Sequence, residues 1–291
     1  MKLTLKQLQV FITVARSQSL TQASGLLFMT KGAVSQTIAE IEHRLAVPLF
    51  DRHHARLFLN SEGRRLVPVA DELLQRMSEV DRMFDDSVLV SDFTFGCTKT
   101  IGSYLLPGLL SGFKQQQGWM PGVSIANSSE VRQKLLHFEY DMALVEGVMA
   151  DQDLVTTPWR QDEMVIIAAK DHPLARAEPV SMSALRDCAW ILREAGSGSR
   201  HQFETYLAPL LSQPKVTLSL ETFDAILLCV HRQLGLTFAS KLIIEHPFFA
   251  GHFSVIRTWQ RFYRVLSLCH HHNKYLSAGA RQWMAFLQSA A

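Results

Sequence analysis

Residues Leu20 to Arg44 read LTQASGLLFMTKGAVSQTIAEIEHR, and the spacing of their apolar side chains governs how the rest of the chain is read. Leu20, Ala23, Leu26 and Leu27 follow one another at helical intervals, which gives a short helix one buried face and leaves Thr21, Gln22 and Ser24 outside. Phe28, Met29 and Thr30 break that pattern. Thr30 is placed to cap a second helix, whose buried face is Ala33, Val34, Ile38, Ile41 and Leu45. Its opposite face carries Lys31, Ser35 and Gln36 near the start. A helix that buries one side and presents short hydrogen-bonding side chains at its N-terminus suits the major groove of DNA, where such groups read base edges. These residues predict a helix-turn-helix. Taken alone, they fit equally a plain helical hairpin in an all-α core.

The surroundings of the stretch bear on that choice. The chain has 291 residues, 47% hydrophobic and 19% charged, a globular composition with room for two or three domains. Its net charge is only +2. Residues 1–60, however, hold seven Lys and Arg against three Asp and Glu, a net of +4, so the rest sums to −2 and the basic character lies around the opening stretch. The four cysteines, Cys97, Cys188, Cys229 and Cys269, show no paired spacing, which argues against a disulfide framework or zinc ribbon and fits a reducing cytoplasm. No apolar run reaches the roughly 18 residues of a membrane span, and Lys2, Lys6 and Gln7 interrupt the N-terminal leucines, so no signal peptide is expected.

Before the helical pair, Leu5, Leu8, Phe11, Ile12 and Ala15 keep a helical period and supply a third helix. Ser19 is placed to cap the helix that follows. After the pair, Pro48 stops the long helix and RLFL (56–59) alternates like a strand, which predicts a winged helix-turn-helix. Arg52, His53, His54 and Arg56 at the wing tip are placed to meet phosphates or the minor groove, or otherwise form a solvated turn. Asn60 caps a long helix from about Ser61 to about Ser87. Leu66, Ala70, Leu73, Met77, Val80 and Phe84 alternate by four and three along it, which is the seam of a pairing helix. A pairing helix implies a dimer, and a dimer a two-fold DNA site; a helix packed on its own domain is the other reading.

From Asp92 short apolar runs alternate with helical stretches. Strands are predicted at about 93–97, 123–126, 142–145, 164–169, 189–192, 216–220, 236–239 and 262–268, and helices at about 101–115, 130–138, 181–186, 199–208 and 223–234. This alternation argues for a parallel α/β architecture with ligand sites at strand ends.

LTQASGLLFMTKGAVSQTIAEIEHRLAVPLFDR, with its AVSQTI core and LAVPLFDR exit, and the following LNSEGRRL strongly resemble the LysR-type transcriptional regulators. In the second half TIGSYLLP, NSSEV, DHPLA (Asp171 to Ala175) and WILREAGSGSR carry the resemblance on, so it covers essentially the whole chain. WILREAGSGSR and the PW..DEMVIIAA segment are similar to the subgroup that includes regulators of sulfur assimilation and carbon fixation genes. The resemblance implies an all-α winged helix-turn-helix N-terminal domain (1–60), a dimerising linker helix (61–90) and an α/β two-lobed, periplasmic-binding-protein-like effector domain (91–291). Lobe I would take about 91–163 and 268–291, and lobe II about 164–267. It implies a cytoplasmic homodimer or homotetramer on double-stranded promoter DNA, with RNA polymerase as a further candidate partner. A small molecule in the cleft would change how the promoter is bent. Base readers would come from Lys31, Gly32, Ser35 and Gln36, beside Thr21, Gln22 and Thr30. Lys31 stands where many members have Gln, and Gly32 where many have Pro or Ser; Lys favours a guanine edge or a phosphate where Gln favours adenine.

The same resemblance places the effector between the lobes, facing helix starts rich in hydroxyls. Thr98, Lys99 and Thr100, then Ser197 and Ser199, then Thr222 form three such starts, and unpaired N–H groups at each favour an anion. Asn127 and Ser128 add hydrogen bonds from the neighbouring strand end. Glu146 repels an anion unless it is protonated or paired with Arg193 or Arg200. Each hydroxyl has helix capping as its plainer role. The expected effector is a small anion, a sulfur oxyanion or short carboxylate, because Lys99 fills space where related regulators often carry a small hydroxyl residue. No other cofactor is expected. Cys269, His270, His271 and His272 are metal-ligating types, but neighbours on a strand point to alternate faces and cannot all reach one ion. Cys97 reads as a buried small hydrophobe. No nucleophile–base pair, carboxylate pair or nucleotide loop stands out, so no enzyme activity is indicated. Two rivals remain: a regulator that acts without an effector, and a solute-binding module that does not bind DNA.

Overall fold

A computed structural model describes residues 3–53, 56–82, 93–176 and 179–290. The chain opens with α1 (Leu5–Ser17), α2 (Leu20–Leu26) and α3 (Lys31–Leu45), a hairpin of β1 (Phe50–His53) and β2 (Arg56–Leu59), and the long α4 (Ser61–Arg82). Leu8, Phe11, Ile12 and Ala15 of α1 meet Ala23 of α2 and Val34, Ile38 and Ile41 of α3 in one core, as their periods predict. Leu5 and Leu26 are the exceptions: Leu5, at the start of α1, is 38% exposed, and Leu26, which ends α2, is 68% exposed. Every helix start here is capped by a side chain that stands one residue before it. Thr4 and Gln7 form a reciprocal capping box, Ser19 Oγ accepts from Gln22 N–H, Thr30 Oγ1 from Ala33 N–H, and Asn60 Oδ1 from Gly63 N–H.

The second half runs β3 (Thr94–Thr98), α5 (Lys99–Tyr104), α6 (Leu106–Gln117), β4 (Gly122–Ala126), α7 (Ser128–Leu136), β5 (Met142–Glu146), β6 (Leu154–Ala169), β7 (Ala189–Arg193), α8 (Gly198–Gln202), α9 (Ala208–Leu211), β8 (Lys215–Leu220), α10 (Phe223–His231), β9 (Thr237–Ser240), α11 (Lys241–Glu245), β10 (Phe253–Ile256), β11 (Phe262–His271) and α12 (Ala278–Ser289). A π-helical turn at Phe203–Leu207 joins α8 to α9, in place of the one continuous helix expected there. The expected single helix at 101–115 is two, because Pro107 cannot continue α5 and instead sits in the first turn of α6.

The sheet corrects the expectation of a parallel architecture. β3 is parallel to β4 and β5, but β11 is antiparallel to both β5 and β6, and β9 and β10 are antiparallel to β6, giving one mixed seven-stranded sheet. β7 and β8 form a separate parallel pair. The reason lies in β6, which extends over sixteen residues where the apolar run marks only its last six. Its first ten residues, LVTTPWRQDE, pair with β11 beside one lobe, and its apolar last six reach the other. β10, α11 and α12 add to the elements that the apolar pattern predicts.

Two cores flank the crossing strands on each side. In lobe I the Phe113 ring meets Trp119, Trp283 and Phe286 edge-on at 4.7, 4.8 and 5.3 Å, so the last helix α12 closes the lobe. In lobe II Trp190 and Phe203 meet at a tilt, 5.1 Å apart, at the centre of a second core.

The N-terminal domain and α4 rest on lobe I through buried charge. Lys274 Nζ, on a side chain 1% exposed, lies 2.8 Å from Asp71 and 3.1 Å from Asp141, while Arg16 donates to Asp71 and to the Phe138 carbonyl. Phe138, at φ 60°, is buried among residues of the winged-helix core.

Candidate functional site

Two separate surfaces carry functional geometry. On the first, α3 presents Lys31, Gly32 and Gln36 to solvent, with Ser35 half-buried, and α2 presents Thr21 and Gln22. Thr30 is exposed but its hydroxyl is committed to the Ala33 N–H at 3.1 Å, so it positions α3. Gln36 gives one amide hydrogen to Glu40 at 3.1 Å, which braces its side chain along the helix. Gly32 has no non-adjacent atom nearer than 4.0 Å to where a Cβ would stand, so its bareness keeps the start of α3 open to close approach. Arg52 and Arg56 are exposed on the wing hairpin; His54 lies outside the described residues. Phe28 is a surface residue that the sequence pattern does not single out. It sits in the turn at φ 53° and is 97% exposed, a strained and solvent-facing aromatic shortly before α3. Its signal is an aromatic at a position where the break between helices needs a left-handed residue.

α4 leaves a stripe of the predicted seam uncovered. Leu73, Met77 and Val80 are 45%, 40% and 46% exposed, whereas Ala70 turns into the winged-helix core at 0%. Phe84 lies outside the described residues. Apolar side chains repeating by four and three on one exposed face suit a second helix of the same kind.

The second surface lies where β5, β6 and β11 cross between the lobes. Glu146 ends β5 and is almost fully buried. Its Oε1 accepts the Thr100 N–H at 3.0 Å and its Oε2 accepts from Arg264 Nη1 at 2.8 Å. Arg264, on β11, also donates through Nε to Asp162 Oδ2 at 2.7 Å and approaches Ser199 Oγ at 3.4 Å. The guanidinium therefore ties lobe I, the crossing strand and α8 of lobe II together. Arg264 replaces the expected partners: Arg193 pairs instead with Glu194 at 2.7 Å, and Arg200 with Glu204 at 2.6 Å. The local reason is register, since Arg264 stands directly opposite Asp162 in the β11–β6 ladder. A charged residue inside the apolar strand FYRVLSLC is the available signal.

The expected hydroxyls divide into two groups. Asn127, Ser197 and Thr222 are helix caps, accepting from Glu130, Arg200 and Ala225 N–H respectively. Thr98 Oγ1, Thr100 Oγ1 and Ser128 Oγ, with Arg264 Nη2, are buried and have no hydrogen-bond partner among the described residues, an arrangement that buried polar groups rarely keep without a ligand or water. Lys99 reaches across to lobe II, donating to the Glu221 carbonyl at 2.8 Å and standing 3.6 Å from Glu194. The helices behind Thr98 and Ser197 are only six and five residues long, so their end charges contribute less than expected.

Burial by itself pushes the Glu146 carboxyl up, but the Arg264 guanidinium, the hydrogen bonding from Thr100 and the charge of Arg193 hold it below the ordinary carboxylate range. Burial, with Glu146 nearby, pushes the Cys97 thiol up to about 12, the inert state expected of it.

Asp153, His271 and His272 bring three ligand atoms within 4.8 Å of one another. His271 and His272 are nevertheless stacked, with ring planes 20° apart and centroids at 4.8 Å. An ion binds in the plane of an imidazole, and two nearly parallel planes do not meet near the rings. His271 Nδ1 also accepts the Asn273 N–H. This cluster, as it stands, does not fit a metal ion.

Residues 5–64 match the model of the bacterial regulatory helix-turn-helix protein, lysR family, and residues 89–291 match that of the LysR substrate binding domain. The chain is 35% identical over 293 residues to the uncharacterized HTH-type transcriptional regulator YeiE of Escherichia coli K12, covering 100% of this chain and 99% of that one. It is 26% identical over 262 residues to the HTH-type transcriptional regulator CysL of Bacillus subtilis, covering 86% and 84%. A full-length OxyR variant of Pseudomonas aeruginosa, with aspartate in place of a cysteine, shares the fold with a TM-score of 0.72 at 18% identity, over 100% of this chain and 95% of that one. With a helix-turn-helix at one end and a two-lobed effector-binding domain at the other, the chain belongs to the LysR family of transcriptional regulators.

Proposed function

We propose that this regulator binds two-fold promoter DNA as a homodimer paired through α4, assembles further to a tetramer, and changes its promoter binding or bending when a small anion occupies the cleft between its lobes. The observation that carries the anion is Arg264, buried at 3% at the crossing of the lobes, whose Nη2 has no partner among the described residues, together with the likewise unpaired Ser128 hydroxyl, which gathers with Glu146 against Gly198. Lys31, Ser35, Gln36, Arg52 and Arg56 supply the DNA contacts, with Thr21 and Gln22 on the phosphates.

A gel-shift titration of the full-length protein against genomic fragments tests the DNA half: retention must be site-selective and weaken as salt rises. Thermal shift against phosphate, sulfate, sulfite, thiosulfate and short carboxylates tests the other half, since a ligand of the folded state raises its melting temperature. A regulator that acts without an effector is the rival, favoured by Glu146 because that carboxylate already neutralises Arg264 from within. A flat response to every anion supports the rival.

A further inference from the structure

We propose that Glu146 selects the anion: the cleft accepts a singly charged oxyanion that keeps an O–H to donate to Glu146, and rejects one with no proton to give. The proposal rests on the cleft being an anion site.

Glu146 ends β5 where the lobes cross. A Cβ built on Gly198, at the start of α8, would stand 2.8 Å from Glu146 Oε2 and 3.2 Å from Ser128 Oγ. That oxygen thus faces the opposite lobe at the point where an unpaired hydroxyl also gathers. It accepts one hydrogen bond, from Arg264, and a carboxylate oxygen has a second lone pair to offer. The unpartnered Arg264 Nη2 on the same guanidinium is the donor that holds the ligand's negative oxygen, so acceptor and donor for a protonated oxyanion stand side by side.

Charge leads to the same result. Around Glu146 the described ionisable groups are Lys99 on α5, Asp162 on β6, Arg193 and Glu194 on and just after β7, and Arg264 on β11, with the Cys97 thiol beneath on β3. Three cations face three carboxylates, so the cleft is neutral before anything enters. A dianion adds two charges that nothing there balances, and its bare oxygens face Glu146 in a buried site where such repulsion is strong. A monoanion with an O–H converts the contact with Glu146 from repulsion into a short charge-assisted hydrogen bond. Sites built around a buried acceptor discriminate sharply against analogues that lack the donor.

Phosphate and sulfate separate these cases, being tetrahedral anions of similar size of which only phosphate carries protons near neutrality. Titration calorimetry on the full-length protein at about pH 6 and about pH 8, at constant ionic strength, should show phosphate affinity falling about fivefold or more with rising pH and sulfate at least about tenfold weaker than phosphate at pH 6. Glu146 stays ionised throughout, so the dependence follows the ligand's proton. Glycolate against acetate extends the test to organic acids: a glycolate preference with phosphate silent assigns the O–H to a hydroxy acid. Glu146→Gln offers an amide donor in place of the acceptor and should abolish the pH dependence while raising sulfate affinity. Sulfate binding equal to phosphate at pH 6, no pH dependence together with equal glycolate and acetate affinity, or an unchanged preference in Glu146→Gln overturns the selection. If that variant does not fold, the pH series on the unmodified protein decides alone. Silence from every anion at both pH values removes the anion site itself and the selection with it.

Discussion

Arg264→Met tests the crossing of the lobes most directly. The arginine side chain is 1% exposed, and its two partners Glu146 and Asp162 are 3% and 1% exposed at 2.8 and 2.7 Å. Methionine preserves most of the volume but leaves two buried carboxylates without their cation. Removing one partner of a buried pair costs about 3–5 kcal/mol, and with two carboxylates stranded the upper part of that range is expected, against a total stability of about 5–15 kcal/mol. The melting temperature should fall by roughly 8–20 °C.

The pH dependence of that loss has a definite sign. In the unmodified protein the Glu146 carboxyl is held below its unfolded value, so its contribution is present above that value and is lost as pH falls through the folded one. Without Arg264, burial acts on Glu146 with far less opposition and its carboxyl rises above the unfolded value. Its contribution is then full at low pH and lost as pH rises. The deficit of the variant must be largest near neutrality and shrink towards about pH 4. Urea unfolding at several pH values measures it. A loss under about 1 kcal/mol at neutral pH, or a deficit that grows on acidification, refutes the reasoning. Adding Glu146→Gln to Arg264→Met should recover part of the loss, since one uncompensated charge is removed.

Lys274→Met should destabilise the seat of the N-terminal domain on lobe I by about 3–5 kcal/mol, because Asp71 and Asp141 lose a cation that is 1% exposed; hydrogen exchange in α4 reads it, and unchanged protection argues that the seat is held by packing. Lys31→Ala should weaken operator binding and reduce the slope of log affinity against log salt by about 1 if the amine meets a phosphate, and relax specificity at one base with the slope unchanged if it reads guanine. Leu73→Asp with Met77→Asp should yield monomers by sedimentation and weaken operator binding, while the melting of the effector domain stays put; a persistent dimer would place the pairing surface elsewhere. Cys97 and Cys269, whose thiols burial raises to about 12 and about 11, should resist alkylation at about pH 8 in the folded protein long after half-buried Cys229 has reacted.

The helical segments of the N-terminal domain are legible in the sequence because each is a local affair. Ala23, Val34, Ile38 and Ile41 occur at the helical period, and Ser19, Thr30 and Asn60 stand one residue before a helix, where their oxygens find the first free N–H groups. The exposed stripe Leu73, Met77 and Val80 is visible in the same way. Leu26 shows where periodicity ends, since it completes the pattern and still faces solvent at the last turn of α2.

The effector domain is legible in its apolar strands and opaque in its long ones. The first ten residues of β6 look like a polar loop because each side faces something different along its length: Trp159 packs into lobe I while Asp162 meets Arg264. The mixed direction of the sheet likewise has no local signature, since strand pairing joins residues about a hundred apart in the chain.

By itself, then, the amino-acid order determined most of the segments that fold into helices and strands, how the N-terminal helices share a core, and which side chains of α2 and α3 stay outside it. The pairing of Arg264 with Glu146 and Asp162, rather than of Glu146 with Arg193 or Arg200, was decided only by tertiary structure. Which buried charges meet depends on the register of β11 against β5 and β6, and that register is set by the packing of two lobes rather than by any neighbour in sequence.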